Sequence, residues 1–186
     1  MLASSDNGVI RAFNARAKAL GWSFQCAPAI SFERAELNTA LAVWREKAGG
    51  RRMPGRADLT ARVLKFCLTQ MSLIERVADG GAPRYRVRLH GSALARYAGD
   101  CTGKFLDEVV QGDRLESFRS LYDTLLALEA PLRVVSQYQA PEIDYLTGET
   151  LLAPLSGPPL ILSVTYAKPR SEIAGGIDAL RLGPQA

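Results

Sequence analysis

Chemistry in this chain would have to come from few residues, and their spacing narrows what it could be. His90 is the sole histidine, so a multi-histidine metal site cannot be assembled and a triad would have one possible base. It ends the run Arg84-Tyr85-Arg86-Val87-Arg88-Leu89-His90 in phase with the arginines, which predicts a solvent-facing or bend histidine. Cys26, Cys67 and Cys101 are odd in number, widely spaced and free of any Cys-x-x-Cys pairing. They read as reduced thiols, in neither a disulfide framework nor a zinc site. Asp107, Glu108, Glu142 and Asp144 stand at element ends with no second carboxylate poised in a common cleft, and there is no Gly-x-Ser-x-Gly elbow. Gly99-Asp100-Cys101-Thr102-Gly103-Lys104-Phe105 is one residue short of a phosphate loop and has Phe105 where a Ser or Thr would hold magnesium. The expectation is therefore no catalytic residue, no metal, no cofactor and no enzyme.

Two groups remain as binding candidates. Tyr97 and Phe105 flank the Gly99–Gly103 bends, and Phe118 and Tyr122 lie one helical turn apart, so all four are expected to converge over the inner strand residue Tyr85. Aromatic walls with a few hydroxyls suit a small-ligand cavity, and they suit a filled core equally. The second group is Arg51, Arg52 and Arg56 in a Gly/Pro-rich basic loop. Arg52 and Arg56 have the Arg-x-x-x-Arg spacing of a cyclic-dinucleotide loop, but the downstream partner pattern is missing. Such arginines bind an anion or brace the loop.

The elements that must position these groups follow from periodicity. Ser4, Ser5, Asp6 or Asn7 can cap a helix carrying Val9, Phe13, Ala17 and Leu20, which Gly21 ends. From Ser31 a helix carries Leu37, Ala40, Leu41 and Trp44, and Gly49-Gly50 stops it. Asp58 is expected to cap a short helix holding Leu59, Val63 and Phe66. Met71–Val77 and Arg84–His90 form a hairpin around Asp79-Gly80-Gly81, and Ser92 caps a short helix through Tyr97. Asp113 and Glu116 have capping-box spacing ahead of the stripe Leu115, Phe118, Leu121, Tyr122, Leu125 and Leu128. Strands are expected at Leu132–Gln139, Tyr145–Leu155 and Leu160–Ala167. The result is an α+β fold: a five-stranded antiparallel sheet with short helices on one face, plus N-terminal helices. Residues 1–30 are expected as a helical extension, 31–168 as the domain with its leading helix, and 169–186 as a tail.

This order resembles the PAS fold, most closely a family of small stand-alone bacterial PAS-like proteins, over about residues 36–168. The resemblance rests on Trp44, the run Gly50-Arg51-Arg52-Met53-Pro54-Gly55-Arg56-Ala57-Asp58 and the Arg84–Val87 strand leading into His90-Gly91-Ser92-Ala93-Leu94. It rests further on Gly99–Gly103, Pro131-Leu132-Arg133-Val134 and Leu152-Ala153-Pro154-Leu155-Ser156. It implies a sensory or regulatory module, usually dimeric and sometimes holding a small molecule, and no reaction. Light-sensing relatives set an asparagine before their reactive cysteine and a glutamine after it. Cys101 has neither, and reads as a small semi-buried thiol.

Three functional readings stand. One is a regulatory module that binds a small apolar or aromatic ligand and reports to an unknown partner protein. Another is a ligand-free homodimerisation or interaction module, using the Val9–Leu20 helix or an outer sheet face bearing Ile74 and Ile161. The third is a weak nucleotide or nucleic-acid binder through Arg45, Lys47, Arg51, Arg52, Arg56, Arg62 and Lys65, which lacks interleaved exposed aromatics. Arg11, Arg16 and Lys18 occupy the place of a signal-peptide core, and no apolar run reaches membrane-spanning length, so a cytoplasmic chain with no membrane partner is expected.

Overall fold

Alternating apolar residues fix the strands, and doubled apolar residues at their centres fix how the sheet is covered. The computed structural model describes residues 4–78, 80–140 and 143–169. Helix α1 (Ser4–Ala19) and strand β1 (Phe24–Cys26) precede helix α2 (Ala35–Ala48). The hairpin β2 (Met71–Val77) and β3 (Arg84–His90) leads into helices α3 (Ser92–Ala98), α4 (Leu106–Val109) and α5 (Gly112–Leu128). Strands β4 (Leu132–Ala140), β5 (Ile143–Leu155) and β6 (Leu160–Pro169) follow. All pairings are antiparallel, in the order β1-β4-β5-β6-β2-β3. The first and last strands of the expected five are neighbours at the centre, in register from Met71↔Val164 to Glu75↔Leu160. β1 is a sixth strand, added at the edge of β4.

Helices cover both faces of the sheet, α5 and α1 on one and α2, one of the expected N-terminal helices, on the other. Ile74, Tyr85, Leu132, Val134, Leu152 and Ile161 face α5 and α1. Met71, Leu73, Leu151, Ala153, Leu155, Leu160, Leu162 and Val164 face α2 and the turns of residues 59–67. Runs such as Leu160-Ile161-Leu162 are apolar on successive positions, and a strand of that kind needs a cover on each side. Ile74 and Ile161, expected on an open outer face, lie on the inner one at 4% and 0% exposure.

Helices α1 and α2 are tied to the sheet by polar bonds as well as by burial. Trp44 Nε1 donates to the Pro154 carbonyl at 2.9 Å. The Glu149 carboxylate accepts from the Glu33 and Arg34 amides at the start of α2 and from Arg133 Nε at 2.6 Å. On α1, Ile10, Phe13 and Ala17 are buried, while Asn14 holds both the amide (2.9 Å) and the carbonyl (2.7 Å) of Cys26. The Asn14 side chain thus satisfies backbone groups of an edge strand that would otherwise be open. The helix expected as an extension is part of the core.

Local caps differ from the sequence expectation. At α5 the Asp113/Glu116 capping box is absent: Gln111 is the N-cap without a side-chain bond, and Glu116 pairs with Arg16 of α1 at 3.0 Å. Ser92 does not cap α3; Gly91 occupies that position, where a Cβ would run into the Thr69 carbonyl. Asp58 ends a short 3₁₀ turn (Arg56–Asp58) and bonds back to the Gly55 amide at 2.7 Å. Among the described residues no helix is long and apolar enough to cross a membrane.

Candidate functional site

The inner layer brings three of the five aromatic candidates together. Tyr85 and Tyr122 meet edge to face with centroids 5.0 Å apart, and Phe118 lies 5.9 Å from Tyr122. Residues from before α2 extend the array: Phe24 of β1 is 5.4 Å from Phe118, Phe13 of α1 stacks on Phe24 at 6.3 Å, and Trp22 is 5.8 Å from Phe13. Rings at these separations touch, so nothing fits between successive members. Phe13, Trp22 and Phe24 were not among the candidates, although Trp22-Ser23-Phe24-Gln25-Cys26 alternates as a strand should.

Phe105 is placed outside this array. Its ring lies under the Arg84 guanidinium at 3.8 Å, on the edge of β3, where Phe105 bridges to Arg86. Arg84 also donates twice to Asp107, at 2.9 and 2.6 Å, and Arg119 donates to the same carboxylate at 3.0 Å. Both the Arg84 hydrogen bonds and the nearby positive charge hold the Asp107 carboxyl below the usual range. The backbone of Tyr97 lies in α3, and its side chain is outside the described residues.

A polar group closes one end of the aromatic array. The Tyr85 hydroxyl donates to Asp123 Oδ1 at 2.6 Å, and Arg76 Nε stands 3.3 Å from the same oxygen. Burial first, and then the bond to Asp123, pushes the Tyr85 phenol far above its ordinary value. The hydroxyl is a fixed donor, not an acid.

The basic loop is braced from within. Arg51 donates to the Ala48 and Lys47 carbonyls at the end of α2 and to Asp58 at 2.7 Å. Arg52 donates to the Leu128 carbonyl at the end of α5 and pairs with Glu129, and Arg56 donates to the Leu59 carbonyl at 2.7 Å. Guanidinium groups at helix C-termini satisfy orphan carbonyls and complement the dipole. The Ser156 amide donates to the Pro54 carbonyl, so one loop joins the ends of α2, α5 and the β5–β6 turn.

His90 is half-buried, not solvent-facing. Its Nδ1 is 2.9 Å from Ser72 Oγ, and its Nε2 is buried with no hydrogen-bond partner among the described residues. Burial lowers its pKa, with the Asp100 charge opposing. Ser72 is itself buried in the sheet, so the pair is a packing bond whose surroundings favour the neutral imidazole. Cys101 is buried nearby as a thiol. Among the described residues no group of three or more His, Cys, Asp or Glu could hold a metal ion.

Residues 33–162 match the family model described as PAS domain. Among solved structures, the chain is similar to the LOV protein of Rhodobacter sphaeroides at 19% identity and TM-score 0.39, over 55% of this chain and 60% of that one. It is also similar to a substituted form of RsLOV at 15% identity and TM-score 0.37, over 77% of this chain and 73% of that one. The chain therefore spans less than two thirds of the first of these. No curated protein matches it.

Proposed function

This chain belongs to the PAS domain family, and from that premise we propose that it is a non-catalytic regulatory module acting through contacts with other proteins. The observation that carries the finer part is the contact array Tyr85, Tyr122, Phe118, Phe24 and Phe13, which occupies the layer between sheet and α5 with the chain's own rings. A layer filled this way spends its aromatic surface on stability, and recognition falls to the outside of the molecule. A second copy of the chain is the first partner to test, by light scattering.

The second reading, a small apolar or aromatic ligand in the same layer, draws on the Tyr85–Asp123–Arg76 group, which could anchor a polar end. One experiment separates the two. In a filled core Phe118→Ala removes half-buried ring contacts and costs about 3 kcal/mol, the low end for Phe truncation. A screen of small aromatic and apolar compounds then raises the melting temperature of the native protein for none of them. Under the ligand reading Phe118→Ala costs much less, and a compound at a hundredfold its Kd stabilises by about 2.7 kcal/mol.

A further inference from the structure

Between Arg45 and Lys65 the chain places seven Lys or Arg against two acids, Glu46 and Asp58. The whole chain carries a net charge of +4, so this stretch holds all of its excess positive charge. Leu59, Leu64 and Cys67 turn into the layer beneath α2. Their neighbours Arg62, Lys65 and Phe66 are left exposed. Phe66, at 37% exposure, is the one aromatic left so open among the described residues.

We infer that this surface docks the acidic face of a partner protein, with Phe66 entering an apolar pocket and the basic side chains of the stretch meeting carboxylates. The inference rests on the reading of the protein as a module that works through protein contacts, and it names the surface and the chemistry of the partner. Four observations select a protein over a polyphosphate, a nucleic acid or a lipid surface. The basic groups are five arginines and two lysines, and protein interfaces enrich Arg and aromatic residues while depleting Lys. Arg51, Arg52 and Arg56 are held by carbonyls, so their orientation is set before a partner arrives, whereas a bilayer asks only for charge. Asp58 and Glu46 sit inside the stretch, paired with Arg51 and Lys47, which a surface shaped for a polyanion would exclude. A single exposed ring is one anchor, while single-strand binding stacks successive bases on several.

Fluorescence anisotropy on the full chain tests this, using a labelled peptide that alternates Glu with Leu and Trp. Polyglutamate, a single-stranded oligonucleotide and phosphatidylserine vesicles are run beside it. The expected result is peptide binding that weakens with salt and is about tenfold weaker or worse in both Phe66→Ser and the Arg62→Glu/Lys65→Glu double variant. Polyglutamate, lacking the apolar part, binds less well than the peptide. Thermal melting shows whether the variants fold, and an unfolded variant is replaced by Phe66→Gln or Arg62→Gln/Lys65→Gln, with the same expectation. Tighter binding of the oligonucleotide or the vesicles, no peptide binding, or peptide binding indifferent to these substitutions overturns the inference. A stabilising compound in the thermal screen would instead remove the filled-core reading, so the two failures are distinguishable.

Discussion

At the scale of single residues, buried hydroxyl and imidazole groups find local partners, and each partner makes a measurable prediction. Tyr85→Phe removes a hydrogen bond to a carboxylate, but Asp123 is half exposed and keeps Arg76. The cost expected in urea denaturation is therefore about 1 kcal/mol, below the usual range for bonds to charged groups. His90 has a folded pKa below its ordinary value of 6.5, because burial disfavours the imidazolium. The unfolded chain then binds the proton more readily, so the His90 contribution is fully present above pH 6.5 and is lost as pH falls through the lower folded value. Unfolding free energy measured from pH 8 down to 5 should fall below that point, and His90→Asn should flatten the fall. A curve with the same slope in the variant would assign the effect to other groups. Aromatic identity was legible in the sequence for Tyr85, on the inward phase of its strand, and for Phe118 and Tyr122, one turn apart on one helix face. It was not legible for Phe105, whose ring is captured by Arg84 from a strand edge, a choice made by tertiary proximity.

At the scale of elements, strands with clean alternation, such as Arg84–His90, and doubled apolar runs, such as Leu160-Ile161-Leu162, appear where the sequence pattern puts them. The caps do not: Glu116 goes to Arg16 on α1, and Asp58, instead of opening a helix after it, closes the turn before it through Gly55 and Arg51. Strand β1 has three residues, and the short alternation Trp22-Ser23-Phe24-Gln25-Cys26 that signals it follows directly on a glycine turn. Its place depends on Asn14, whose amide mimics a neighbouring strand. Asn14→Ala should cost about 1–2 kcal/mol through two lost hydrogen bonds, and hydrogen exchange should quicken at the Cys26 amide and in α1. Unchanged protection there would mean that burial of Ile10, Phe13 and Ala17 alone holds the helix. At the other end of α5, Glu129 takes a left-handed conformation with φ 48° and pairs with Arg52 through exposed side chains. The backbone strain, about 1–2 kcal/mol, outweighs an exposed ion pair. Glu129→Gly should therefore raise the melting temperature, and a drop would show that the Arg52 brace contributes more than the strain.

At the scale of the whole molecule, a sheet covered on both sides leaves its inner layer to Phe13, Phe24, Phe118, Tyr122 and Tyr85 and its net positive charge to one outer stretch. On the reading proposed here, recognition falls to the outside of the molecule, and the rings on the inside leave no vacancy between successive members of the aromatic layer. Native mass spectrometry of the purified full chain tests this most directly, because it weighs the folded protein with whatever it holds. The account predicts species whose masses are whole multiples of the polypeptide mass. A bound small molecule retained in the native spectrum, and lost both on denaturation and in Phe118→Ala, would contradict it.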